Sequence, residues 1–248
     1  MAENNNFPKS WKKSSKPHKF CPGCGQSLAL KNLGFVIDEL QIADKTVYAC
    51  DIGCSLLTWD MFEIDTIQTH HGRVVPTMVG FKLAKPSAIT IAFMGDGGGY
   101  AIGAQHLINA AMRDDPITAI LINNANYAMT GGQMAPTTLV GQKATTAPNG
   151  RDWQKVGKPI HGPEMLAEIA QEGSYIARTI STDIADCKTK IRKALQNQID
   201  GRGFSFIEII SMCPVNWHTD ALQSLDFSEK EMTKVYPLGE FKCPQKLA

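Results

Sequence analysis

The stretch AITIAFMGDGGGYAIGAQHLINAAMRDDPITAILINN, residues 88–124, decides the fold. Residues 88–94 form an almost unbroken apolar run, which reads as a strand buried on both faces. The run passes directly into Gly95-Asp96-Gly97-Gly98-Gly99. Apolar residues then recur at helical spacing over 102–112, and Pro116 stops the helix from continuing. A second apolar run, 117–122, ends in Asn123-Asn124. Strand, glycine turn, helix and strand in that order are the sequence form of a βαβ unit, and such units build parallel sheets.

The alternation continues on both sides. Leu28, Leu30, Leu33, Val36, Ile37 and Leu40 predict a helix, and residues 46–50 a strand that runs into the loop Asp51-Ile52-Gly53-Cys54. Pro76 is expected to open a second helix through Val79, Phe81 and Leu83. Residues 127–163 are rich in Gly, Pro, Thr and Gln, and a loop that long inside a compact domain is usually functional or disordered. Helix 164–171, strand 174–180, helix 183–198 and strand 204–211 follow. The expectation is one α/β domain, a doubly wound and mostly parallel sheet, over residues 20–217. A flexible tail is expected at 1–19 and an irregular extension at 218–248.

Apolar residues make up 43% of the chain and charged residues 20%, with a net charge of +1, so no basic surface for nucleic acid is present. No apolar segment has the length to cross a bilayer, and the first residues lack the hydrophobic core of a secretory signal. A cytoplasmic protein is the expectation. Seven cysteines, an odd number without an export signal, argue against a disulfide framework.

Asp96 and Asn124 each end one of two strands joined by a single helix, so the two should be neighbours. Ligands of open α/β sheets bind at the carboxyl ends of strands. Gly95 and Gly97 let the backbone approach a phosphate, and the following helix N-terminus favours an anion. A dinucleotide fingerprint fails in detail, because Tyr100 stands where the third glycine belongs and the next strand ends in amides. A carboxylate and an amide oxygen are hard ligands suited to Mg²⁺ held against a diphosphate, with the Asn126 carbonyl as a third. A helix cap and an asparagine turn would explain each residue singly, but not the pair at successive strand ends.

Cys21-Pro22-Gly23-Cys24 alone is ambiguous between zinc, a redox disulfide and an iron–sulfur cluster. No second CxxC completes a zinc ribbon. Cys54 and Cys213 fall in loops expected at the same sheet edge, and four thiolates from remote segments suit a [4Fe–4S] cluster. Cys50 and Cys187 read as core residues, and Cys243 as a thiol with no assigned role.

Together CPGCG (21–25), IGCS (52–55), HGR (71–73), GDG (95–97), NN with Tyr127, and SMCPVNW (211–217) resemble the β subunit of 2-oxoacid:ferredoxin oxidoreductases. The resemblance covers residues 20–217. It implies the thiamine-diphosphate-binding fold and three cofactors: thiamine diphosphate, Mg²⁺ on Asp96, Asn124 and Asn126, and a [4Fe–4S] cluster on Cys21, Cys24, Cys54 and Cys213. It places Ile52, Gly53, Cys54, Ser55, Gly95, Gly97, Gly98, Ala128 and Met129 around thiamine diphosphate, with His71 as a neighbour. Position 98 is glycine where many members carry aspartate. In that family the glutamate acting on the aminopyrimidine lies on the partner, so no general acid or base is assigned here beyond His71. The implied reaction is CoA-dependent oxidative decarboxylation of a 2-oxoacid to acyl-CoA and CO₂, with electrons passed to ferredoxin. The implied partners are an α subunit, with or without further small subunits, and ferredoxin. Leu56-Leu57 after Ser55 bring no cation for a distal carboxylate, which favours a branched-chain substrate such as 2-oxoisovalerate over 2-oxoglutarate. A non-redox thiamine carboligase would explain the strand-end pair but not the cysteines. A zinc-stapled binding module would explain only the cysteines.

Overall fold

The computed structural model describes residues 7–15 and 18–244. Among these described residues seven strands form one sheet: β1 (Thr46–Cys50), β2 (Asp65–Gln68), β3 (Ile89–Gly95), β4 (Thr118–Asn123), β5 (Tyr175–Ile180), β6 (Ser205–Ile210) and β7 (Gly239–Lys242), in the order β2-β1-β3-β4-β6-β5-β7. The first six are parallel, and β7 runs antiparallel along β5. The helices are α1 (Gln26–Leu40), α2 (Val74–Ala84), α3 (Ala104–Arg113), α4 (Trp153–Val156), α5 (Gly162–Ile169), α6 (Ile184–Ile199), α7 (Pro214–Trp217), α8 (Ala221–Asp226) and α9 (Thr233–Val235). None of the described helices is long and apolar enough to cross a membrane.

Alternation along the strands divides the core between two faces. Tyr48, Ile91, Phe93, Ile120 and Ile207 pack under α1 and α6, whereas Ala49, Ala92, Met94, Leu121 and Phe206 pack under α2, α3 and α5. Both faces are covered, so the strands read as continuous apolar runs rather than as polar–apolar alternation. Each fully buried aliphatic side chain contributes ~1.5–3 kcal/mol. From β1 the chain moves out to β2, and α2 returns it to β3 on the other side of β1. The order therefore reverses between β1 and β3, which opens a crevice at their carboxyl ends.

Several boundaries differ from the sequence reading. The second helix begins at Val74, before Pro76, and a π-helical turn, Gly98–Ile102, precedes α3. Residues 1–6 and 16–17 of the expected tail lie outside the described residues, but the part around Trp11 is packed rather than loose. Trp11 is buried and meets Phe62 edge-on with ring centroids 6.3 Å apart, and Ser10 N–H donates to Asp38 at 3.0 Å. The expected irregular extension forms helices and a strand. Met232 and Tyr236 pack against Ala125, Leu139, Ile180 and Ile210, and Asp220 with Gln223 closes a capping box on α8. The long loop contains only α4 and is ordered around Arg151, which is 6% exposed. Its guanidinium donates to the carbonyls of Ala135, Pro136, Thr138, Gly157 and Lys158 at 2.9–3.1 Å.

Candidate functional site

The carboxyl ends of β1, β3 and β4 open into a cleft of about 550 Å³. Every residue expected around the diphosphate and Mg²⁺ lines it: Ile52, Gly53, Cys54, Ser55, His71, Gly95, Asp96, Gly97, Gly98, Asn124, Asn126, Ala128 and Met129. The sequence reading missed Gln26, Ile122 and Thr130, and it used Tyr127 only as part of a motif.

Close packing accounts for Gly97 and Gly98. A Cβ at Gly97 would lie 2.0 Å from the Tyr127 ring, and one at Gly98 would lie 1.9 Å from Asp51 Oδ2. The aspartate that many members of the resembling family carry at position 98 has no room here. The helical stretch starting at Gly98 points its N-terminus into this crevice, which suits an anionic group.

Asp96 is 2% exposed. Its Oδ1 accepts from Gly97 N–H at 2.8 Å, and its Oδ2 accepts from the Thr137 hydroxyl. No cation is among these partners, and burial pushes its pKa up to about 7 against the pull of those hydrogen bonds. The two asparagines divide the work of the next turn. Asn123 is fully buried; its Oδ1 accepts from Ala125 N–H at 3.1 Å, and its Nδ2 donates to Glu208 at 3.0 Å. Ala125 is thereby held in the left-handed region at φ 55°. The Asn124 carbonyl accepts from Asn126 Nδ2 at 2.7 Å and Trp217 Nε1 at 3.0 Å, and Asn124 Oδ1 receives only a long 3.4 Å bond from Asn126 N–H. A buried carboxylate without a cation beside a lightly engaged amide oxygen is a donor set that fits Mg²⁺. The Ser55 hydroxyl, buried in the cleft wall, has no hydrogen-bond partner among the described residues, which fits a bound polar ligand.

Asp51, wholly buried at the end of β1, accepts from Gly72 N–H at 2.7 Å and meets His71 Nδ1 at 3.2 Å. Burial raises its pKa, against the pull of the Gly72 hydrogen bond and His71. With Nδ1 engaged, Nε2 is the His71 nitrogen left for a ligand. The HGR motif pointed to His71, whereas its partner Asp51 was signalled only as a charged residue at a strand end.

A second cavity of about 850 Å³ adjoins the first and is lined by Cys21, Cys24, Cys54 and Cys213. Gln26, Cys54, Asn124, Ala128 and Met129 line both. The Cys21–Cys24 turn packs on the start of α7, since a Cβ at Gly23 would touch Pro214 at 3.2 Å, and Gly25 N–H donates to the Met212 carbonyl at 3.3 Å. Gly53, with φ 107° and ψ −158°, adopts a conformation open essentially to glycine and turns Cys54 toward the others. Burial pushes the Cys24 and Cys54 thiols up to about 12, and mutual repulsion with Cys21 and Cys213 adds to the rise. Thiolates so crowded and desolvated need bound cationic charge, which the iron of a cluster supplies. Among the described residues no three His, Cys, Asp or Glu side chains converge as ligands of a single metal ion. The cysteines instead surround a cavity. Cys50 and Cys187 are buried in the core, and Cys243 is exposed with its thiol on Glu240 at 3.2 Å.

Residues 51–209 match the family described as thiamine pyrophosphate enzyme, C-terminal TPP binding domain. The chain is 37% identical over 226 residues to the ketoisovalerate oxidoreductase subunit VorA of Methanothermobacter thermautotrophicus, covering 90% of this chain and 47% of that protein. It thus spans about half the length of this relative and of its counterpart in Methanothermobacter marburgensis. It is 36% identical over 216 residues to the 2-oxoglutarate synthase subunit KorB of Methanothermobacter marburgensis, covering 86% of this chain and 72% of that one. In fold it resembles a solved 2-oxoglutarate:ferredoxin oxidoreductase from Magnetococcus marinus, with a TM-score of 0.79 at 23% identity over 99% of this chain and 87% of that one. The chain belongs to the thiamine-pyrophosphate-binding subunits of the 2-oxoacid:ferredoxin oxidoreductase family.

Proposed function

We propose that this chain holds thiamine diphosphate and Mg²⁺ in the strand-end cleft and a [4Fe–4S] cluster in the adjoining cysteine cavity. With an α subunit it catalyses CoA-dependent oxidative decarboxylation of a 2-oxoacid to acyl-CoA and CO₂, reducing ferredoxin in the cytoplasm. The observation that carries the reading is the shared wall: Cys54, Asn124, Ala128 and Met129 belong to both cavities. When bound, thiamine diphosphate would supply a nucleophilic carbon for the 2-keto group and a sink for the electrons of decarboxylation.

The chain's own residues bind and orient. Asp96, the Asn124 amide oxygen and the Asn126 carbonyl hold Mg²⁺. Gly95, Gly97 and Gly98 admit the diphosphate to the backbone, and Ile52, Gly53, Ser55, Ala128 and Met129 flank the organic rings. Cys21, Cys24, Cys54 and Cys213 bind the cluster. His71, oriented by Asp51, presents Nε2 to the cleft. Among the described residues no glutamate lines the cleft, in keeping with a partner subunit that supplies the activating acid.

Among the described residues no lysine or arginine lines the cleft either, and this favours a branched-chain 2-oxoacid such as 2-oxoisovalerate. The 36% identity to a 2-oxoglutarate synthase subunit supports 2-oxoglutarate as the second reading. The chain, co-purified anaerobically with its partner, is assayed with a 2-oxoacid panel, CoA and a viologen acceptor, together with iron and acid-labile sulfide. Expected are four irons assigned to this chain and the highest kcat/KM with 2-oxoisovalerate. Zinc in place of iron, or carboligation without viologen reduction, overturns the reading, and a preference for 2-oxoglutarate overturns the substrate choice.

A further inference from the structure

Asn216 follows Cys213 by one turn, on α7, and its role is not accounted for by the binding of either cofactor. Its side-chain amide donates to Cys213 Sγ at 3.5 Å and to the Ala128 carbonyl at 2.9 Å. The first acceptor lies in the cysteine cavity and the second in the wall common to both cavities. The Asn216 side chain also sits against Gly132, where an added Cβ would meet it at 3.1 Å. Gly132 has a φ of 79°, so the 128–132 turn is shaped around this side chain. The amide is therefore fixed, and its two N–H groups have separate tasks.

We propose that Asn216 is a positioning residue that couples the two cofactor sites: one N–H stabilises electron density on Cys213 Sγ, and the other locks the Ala128 turn against the thiamine pocket. The inference rests on the proposed assignment of a [4Fe–4S] cluster to Cys213. An N–H donated to a ligating sulfur favours the reduced, more negative cluster, and so raises its reduction potential.

The test uses the full chain purified anaerobically with its partner, with the cluster of this chain identified as the EPR signal lost in Cys54→Ser. Asn216→Asp keeps the shape but puts an anion at the sulfur and cannot donate. Its reduced-to-oxidised ratio at fixed potential is expected to fall about tenfold, a lowering of ~59 mV for a one-electron couple. Asn216→Leu is expected to move the potential in the same direction by less. Both variants weaken thiamine diphosphate binding about fivefold before any cluster is loaded, the size of one lost hydrogen bond. A merely structural asparagine would weaken binding or lower Tm and leave the midpoint unchanged. Midpoints equal to wild type, with the signal intact, overturn the role of Asn216 alone. A Cys54→Ser complex that keeps every signal of the wild-type complex overturns the cluster assignment, and this inference with it.

Discussion

Replacing Arg178 with methionine tests how much the core depends on one buried cation. Arg178 on β5 is fully buried; it donates to Glu208 at 2.8 Å and to both oxygens of Glu164 at 2.7 Å. Burial alone disfavours its charge, but the two carboxylates more than offset that and hold its pKa above the ordinary guanidinium value. Glu208, equally buried, also holds the Tyr100 hydroxyl and the Asn123 amide, and through Asn123 the turn that carries Asn124 and Asn126. Arg178→Met removes the cation and strands the Glu208 carboxylate, a loss of ~3–5 kcal/mol when one partner of a buried pair is removed. That is a large share of the ~5–15 kcal/mol that holds a typical domain together. Urea unfolding followed by far-UV circular dichroism measures it, and Arg178→Met/Glu208→Gln completes a double-mutant cycle. The double variant is expected to regain most of the loss. A single-variant loss below ~1 kcal/mol, or a double variant no more stable than the single one, refutes the reasoning, because either result means Glu208 never needed its cation.

Other outcomes follow from the cleft. Gly97→Ala drives a methyl group into the Tyr127 ring and is expected to weaken thiamine diphosphate binding at least tenfold with unchanged circular dichroism; calorimetry measures it. Asp96→Asn removes a buried uncompensated charge. A carboxylate pKa raised from 3.8 to about 7 means its contribution is full below pH 3.8 and lost as pH rises through 7, a swing of ~4 kcal/mol. The cofactor-free variant should therefore have a higher Tm than wild type at pH 8 and no advantage below pH 4, while the Tm gain from Mg²⁺ with thiamine diphosphate disappears. Asp51→Asn removes the acceptor that orients His71, so kcat should fall about tenfold or more with little change in KM, and an unchanged kcat removes His71 from the chemistry. Cys54→Ser should lose most iron and the visible absorbance, whereas Cys187→Ser and Cys243→Ser keep both.

The sheet was legible because its central strands are buried on both faces and so appear as apolar runs that glycine or asparagine ends. The strand-end residues were legible for the same reason: a run that stops at Gly95-Asp96 or Asn123-Asn124 names its own carboxyl end. β2 escaped because Asp65 and Gln68 are exposed and Thr66 and Ile67 only half-buried, which leaves no pattern in four residues. Trp11 lies in a polar stretch, and its burial depends on Phe62 of a distant segment. Gln26 begins a helix whose apolar stripe says nothing about its first residue. The Asp51–His71 pair depends on backbone geometry at Gly72 and Gly98, which no spacing encodes. The convergence of the four cysteines was readable only as a set, since each sits at the sheet's carboxyl edge or, like Cys21 and Cys24, is docked there by α7.

The loop that carries Thr137 toward Asp96 is organised by one guanidinium bound to five carbonyls. Every amino acid brings the same carbonyl, so these five anchor points do not depend on the side chains that carry them, whereas Thr138, Gln142 and Thr146 fix the path through their own side chains. Shape and surface chemistry are partly uncoupled there: with Arg151 retained, exposed positions between the anchors, such as Lys143 and Thr145, can be exchanged without rebuilding the scaffold beneath them.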